Sequence, residues 1–228
     1  WSPASGAPTV NPSAISKCRF VTFSVSGAGS VTALRVKLTS LHHVVPPYTG
    51  GASVPFTSFE GQVRWVGPPA QYMESTSTGI PFYASALQCA PHYRDWSTVG
   101  LLHVTGSAIV PSSIYEVENL AASCAGNEAS CTDVLARLSI STTRWGDVEV
   151  PYNPPSATTQ PDVGDIGALV NKFRSALGAP IKARALLAGD DAFGNFTTLN
   201  VDMTFSHIAA CVDAFRGNPY PFAVEACP

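Results

Sequence analysis

The chain has 228 residues, a formal charge of −3, 45% hydrophobic residues and only 13% charged ones. That hydrophobic share excludes wholesale disorder, and the lack of any Lys/Arg run excludes a phosphate-binding surface for nucleic acid. No apolar stretch nears the ~20 residues of a membrane span, and a charge content far below the roughly 25% of ordinary domains fits an extracellular β-protein coated with Ser, Thr, Gly and Pro.

Residues 1–16 carry Pro3, Pro8 and Pro12 and cannot form a helix. They read as an extended N-terminal arm, suited to adding to another subunit's sheet edge. The start at Trp1 reads as a processed product. Residues 17–150 follow a period of two. Val21, Phe23 and Val25 alternate with Thr22 and Ser24, and Leu34, Val36 and Leu38 with Arg35 and Lys37. Val63–Trp65, Leu102–Val104, Tyr115–Val117 and Ala136–Ile140 repeat the pattern. Such runs predict half-buried antiparallel strands, and the Gly/Pro punctuation between them predicts an antiparallel β-sandwich or an irregular barrel. His103, opposite in phase to Leu102 and Val104, is expected to face solvent.

Residues 151–161 hold four prolines and form a linker. From 162 to 228 the composition turns to helix formers. One helix is predicted over 163–176, ending before Gly178-Ala179-Pro180, and another over 204–216, ending at Gly217-Asn218-Pro219. Between them, Lys182–Leu187 reads as a short helix and Gly189–Thr198 as a loop. The fold class is therefore mainly β with a small α part at the C-terminus.

The two helices carry one stripe twice. Ile166, Leu169, Val170 and Phe173 recur 42 residues later as Ile208, Cys211, Val212 and Phe215, with Ala168 matching Ala210 and Arg174 matching Arg216. Both follow the spacing of a single helix face. Helices this short need a surface to pack on. Ile166, Val170, Phe173, Ile208, Val212 and Phe215 are the residues expected to meet a partner.

The segment Asp162–Arg174 and its copy Thr204–Arg216 resemble the paired helices of a dockerin-type domain. The run Phe215-Arg216-Gly217-Asn218-Pro219-Tyr220-Pro221-Phe222, with Phe59–Pro69 and Leu87-Gln88-Cys89, is similar to secreted bacterial proteins that join a β-domain to such a tail. The resemblance implies two calcium loop–helix units that attach a secreted protein to a partner. Calcium loops of this kind place oxygen ligands at positions one, three, five, nine and twelve. In the first unit the ninth and twelfth positions are Asp162 and Asp165, but the earlier ones are Pro154, Ser156 and Thr158. In the second, Asn200, Asp202 and Thr204 offer oxygens, but the first and twelfth positions are Phe196 and His207. Calcium needs six to eight oxygens. Both loops are thus degenerate, and any calcium would rest on Asp162 and Asp165, or on Asn200 and Asp202 with Asp190 and Asp191. The competing role for Asp162 and Asp165 is to stabilise the helix N-terminus.

Six cysteines at 18, 89, 124, 131, 211 and 227 form no C-x-x-C. That disfavours zinc ribbons and redox motifs and predicts disulfides in an oxidising compartment. Cys89 is expected with Cys124 or Cys131, and Cys211 with Cys227.

No G-x-S-x-G elbow, H-E-x-x-H, phosphate loop or dinucleotide fingerprint occurs. His42-His43 alternate in direction and make a poor chelate, and the carboxylates are scattered. An enzyme is not expected, nor a cofactor. Tyr72, Phe82, Tyr83, Tyr93 and Trp96 either fill the core or offer a sugar-stacking platform. The expectation is a non-catalytic extracellular structural protein, assembling with itself into a fibre or surface layer or binding a surface receptor. The alternative is a carbohydrate-binding module of a polysaccharide-degrading system.

Overall fold

A computed structural model of the protein describes residues 8–9, 18–26, 31–41, 61–74, 81–154, 157, 161–196 and 202–227. Among these, the strands are β1 (Pro8–Thr9), β2 (Val21–Val25), β3 (Val31–Leu41), β4 (Val63–Val66), β5 (Ala70–Met73), β6 (Pro81–Gln88), β7 (Tyr93–Asp95), β8 (Leu101–Thr105), β9 (Ser113–Leu120) and β10 (Val134–Ser141). They join in the order β1-β2-β8-β6-β4-β3-β9-β10, with β5 beside β6 and β7 beside β3. The two ends, β1 and β10, approach each other, so the sheet is nearly barrel-shaped. β6 links the two halves: Tyr83–Ala86 lie against β8, while Leu87 and Gln88 pair with β4. The fold is mainly β with a small helical part, as the alternation implies.

One pair departs from the antiparallel expectation: β6 and β8 are parallel. Parallel neighbours need a crossover, and here it runs through β7 and the short 3-10 turn Trp96–Thr98. The Trp96 ring is buried, and its Nε1 donates to the Thr32 carbonyl at 2.9 Å. The arm is described only at Pro8–Thr9, which pairs with Ser24 and Val25 of its own chain.

The inward alternation holds. Val21, Phe23, Leu34, Val36, Leu38, Leu102, Val104 and Val117 form one buried cluster. The opposite face is covered too. His103, expected in solvent, is wholly buried. Its Nδ1 lies 2.9 Å from Thr22 Oγ1, and its ring packs against Tyr72 and Phe82. The cause is a second apolar layer over β2 and β8, in which Phe20, Tyr72, Ala183, Leu186 and Phe196 cluster.

On the other side, three neighbouring strands place Arg35, Glu118 and Arg137 on one rung. Glu118 is fully buried and holds Arg35 at 2.6 Å, Lys37 at 2.8 Å and Arg137 at 2.9 Å. Arg35 also donates to the carbonyls of Glu128, Ala129 and Cys131, which draws the 124–131 loop over this face. Burial alone would raise the Glu118 pKa, but the hydrogen bonds from Lys37, Arg35 and Arg137 outweigh it and hold the carboxyl at about 2.

Three helices follow: α1 (Val163–Phe173), α2 (Lys182–Ala185) and α3 (Phe205–Phe215). α1 and α3 pack antiparallel, since Phe173 at the end of one meets Phe205 at the start of the other. Their inward residues join Cys18, Val148, Leu187 and Met203 in a further cluster, while Ala214, Tyr220 and Val224 belong to the β-core. The tail returns to the sheet over Arg19. This buried guanidinium donates to the carbonyls of Leu187 and Gly194 and lies 4.9–5.3 Å from the rings of Phe196, Tyr220 and Phe222.

The disulfides are Cys89–Cys227 and Cys124–Cys131. This corrects the expected pairs. Cys89 does not join Cys124 or Cys131, because those two close their own short loop. Cys211 does not join Cys227, because it points inward from α3 and is fully buried, whereas the tail runs on to the end of β6, where Cys89 sits.

Replacing Glu118 by Ala should lower the unfolding free energy by about 3–5 kcal/mol, because it strands buried cations. Urea titration measures this. The Glu118 contribution is full above its ordinary pKa of 4.5 and is lost as pH falls through about 2.

Candidate functional site

The helix pair carries the residues expected to meet a partner, and its polar residues decide how it sits. Asp162 starts α1 as N-cap, its Oδ1 accepting from the Gly164 N–H at 2.6 Å. Asp165 closes the capping box, its Oδ2 accepting from the Asp162 N–H at 2.9 Å. Asp165 Oδ1 accepts two further N–H groups, those of Val148 and Glu149, at 2.8 and 2.9 Å. At the same place in the repeat, 42 residues on, His207 is also buried. Its Nδ1 accepts from the Leu187 and Ala188 N–H groups at 3.2 and 3.0 Å. Each helix thus hooks two consecutive peptide N–H groups of an earlier turn. An Nδ1 that accepts is unprotonated, so the ring proton sits on Nε2. Burial pushes the His207 pKa down to about 4, and burial raises that of Asp165 despite its hydrogen bonds.

These contacts set the inward faces. In α1 they are Asp165, Ala168 and Leu169; in α3 they are His207, Ile208, Cys211 and Ala214. The predicted stripe is only half used. Ile208 is buried, Ile166 and Val170 flank the same cluster, Val212 is half-buried, and Phe173 and Phe215 are exposed. Apolar side chains are exposed at both ends of the pair, Val163 and Phe215 at one and two aromatic rings at the other. Phe205 and Phe173 are 70% and 50% exposed and meet edge to face at 6.5 Å. Leu177, four residues beyond Phe173, is fully exposed.

Among the described candidate calcium ligands, Asp162 Oδ1 and both oxygens of Asp165 accept from N–H groups, and Asp202 is fully exposed 3.6 Å from Lys182 Nζ. Asp191 Oδ1 accepts from the Phe193 and Asn195 N–H groups. Asn200 lies outside the described residues. Among the described residues no group of three or more His, Cys, Asp or Glu could hold a metal ion.

A cleft of about 360 Å³ opens where the tail crosses the ends of β6 and β8. Its polar lining is turned on itself. Arg64 donates to the Glu225 carbonyl, the Glu225 N–H to Ser107 Oγ, the Ser107 N–H to Asn195 Oδ1, and Asn195 Nδ2 to Glu225 Oε2. These bonds hold the tail, and Glu225 is the one carboxylate among the described lining residues. His42-His43 lie outside the described residues. Of the five aromatic residues, Trp96 and Tyr72 are buried and Phe82, Tyr83 and Tyr93 are half-buried; the Tyr93 hydroxyl donates to Glu128 Oε1, and the Tyr83 hydroxyl accepts from Gln71.

Beside Asp165 lies Asp147, almost fully buried, one oxygen accepting from the Asn153 N–H. Burial, aided by the Asp165 charge, raises its carboxyl pKa to about 7. Neither His207 nor Asp147 stands out in the sequence. The only local sign is a polar residue interrupting an apolar face, and for His207 the 42-residue match to Asp165.

No family of known proteins, no curated protein and no solved structure matches this chain.

The two buried groups set opposite pH limits. His207, lowered from 6.5 to about 4, contributes fully above 6.5 and loses its contribution as pH falls through about 4. Asp147, raised from 3.8 to about 7, contributes fully below 3.8 and loses its contribution as pH rises through about 7. In urea titrations across pH, Asp147→Asn should match the wild type near pH 4 and exceed it at pH 8. His207→Ala should lose about 2–6 kcal/mol at neutral pH, because two N–H groups lose their acceptor.

Proposed function

We propose that this chain is a secreted, non-catalytic structural protein whose copies assemble through the exposed end of its helix pair. The carrying observation is the exposed ring pair Phe173 and Phe205 at one end of the helix pair, with Leu177 exposed in the turn after α1. Exposed apolar patches on a folded domain mark interaction sites, and rigid aromatic rings are effective anchors there. The low charge weakens the repulsion that keeps copies apart. Two disulfides fit an oxidising compartment. Among the described residues no helix is long and apolar enough to cross a membrane.

In this reading the helix pair is a docking element of dockerin-like descent, held by hydrogen bonds at Asp165 and His207 in place of a cation. Assembly is then insensitive to chelators. The burial of Trp96 and Tyr72 favours this reading over a carbohydrate-binding module.

Sedimentation velocity over a concentration series tests this. The wild type should form oligomers, with or without a calcium chelator. The variant carrying Phe173→Asp and Phe205→Asp should remain a monomer with an unchanged far-UV spectrum and melting temperature, since both side chains are already in solvent. A wild type that stays monomeric at high concentration would sink the proposal.

A further inference from the structure

Two cysteines lie outside the disulfides. Cys18 and Cys211 are thiols here, both buried, in the same apolar cluster as Val148 and Leu169. They converge on one residue. Cys211 Sγ donates to the Gly146 carbonyl at 3.4 Å, and the Cys18 thiol also hydrogen-bonds the Gly146 backbone. Gly146 fixes this approach. Its φ is +89°, and a Cβ there would sit 2.6 Å from Ala214 Cβ and 2.8 Å from Pro161 Cγ. α3 can therefore press Cys211 against this turn only because no side chain intervenes.

We infer that Cys18 and Cys211 are the two halves of a third disulfide, which closes as the chain folds in an oxidising compartment. The oxidant is a disulfide, either a small molecule or a thiol oxidoreductase. One cysteine thiolate attacks it, forming a mixed disulfide and releasing one thiol. The second cysteine thiolate then attacks the mixed disulfide and releases the other thiol. The two protein thiols give up two protons and two electrons, and the oxidant is reduced to two thiols.

Timing follows from burial. In the finished fold burial pushes both thiols up to about 12, so neither supplies a thiolate at neutral pH. The exchange belongs to the stage before α3 seats on Gly146. Once made, the bridge ties the start of β2 to α3, while Cys89–Cys227 ties the tail to β6. The N-terminal side of the sheet is then cross-linked to the helix pair, and the tail to the middle of the chain.

The inference rests on the oxidising compartment assumed in the proposed function. The full chain, exported to a bacterial periplasm, is unfolded in guanidinium with iodoacetamide and no reductant, then analysed by intact mass and peptide mapping. The expected result is no alkylation, a mass lower by two hydrogens for each of three bridges, and a linked peptide pair containing Cys18 and Cys211. Alkylation of both these residues, with Cys89–Cys227 and Cys124–Cys131 closed, overturns the inference and leaves the proposed function standing. A bridge from either residue to another cysteine overturns it equally. Six alkylated thiols would sink both.

Discussion

A buried peptide N–H without an acceptor costs about 1–3 kcal/mol. The turns at Val148–Glu149 and Leu187–Ala188 each direct two successive N–H groups toward the helix pair. Asp165 and His207 satisfy them, and both stand at the third position of their helix. That place is informative. A residue there faces back toward the preceding chain, and the residue four places on lies on the same side. The same line runs from Asp165 to Leu169 and from His207 to Cys211, both buried. The polar hook and the apolar packing are thus one face of each helix, and the hook fixes which face it is.

The two hooks are chemically different. Asp165 keeps a carboxylate in place with three N–H donors around it. His207 offers a neutral nitrogen to two donors, so it needs no countercharge. A calcium loop would require the oxygens at these positions to face a cation. At Asp165 they face peptide N–H groups, and at His207 no oxygen exists. Each helix is held instead by peptide donors of an earlier turn.

The sheet shows how far a period of two can be read. Strands β2, β3, β4, β8, β9 and β10 were legible because Phe23, Leu34, Val36, Leu102 and Val117 alternate with polar neighbours. The alternation says which face a residue occupies and not what covers that face. His103 and Glu118 are on the outer face as expected, yet both are buried, because Ala183, Leu186 and Phe196 lie over one side and the 124–131 loop over the other. These covers come from distant parts of the chain. β5 and β7 are short, and the aromatic residues of β5 to β7 could be read either as core or as a stacking platform. The end of α3 was legible from Gly217, at positive φ just past the helix, but α1 stops at Phe173 rather than 176, because Ser175 takes a positive φ before Gly178 is reached. The disulfide partners were not, because the tail's path is set by the Arg19 guanidinium and three rings remote in sequence.

The exposed end of the helix pair follows from helix length. Phe173 lies eight residues beyond Asp165 and four beyond Leu169, on the same line as the hook, and Phe215 stands in the same relation to His207 and Cys211. Asp165, Leu169, His207 and Cys211 are buried, whereas both phenylalanines, each the last residue of its helix, are exposed. The hooks fix the first turns against the core, and the apolar line runs on past it at the last turn. With α1 and α3 antiparallel, Phe173 comes out beside Phe205, and two rings meet at one end of the pair. If Asp165 were a leucine, the Val148 and Glu149 N–H groups would lose their acceptor while Phe173 kept its place at the end of α1, so the cost would fall on stability and the ring pair would persist.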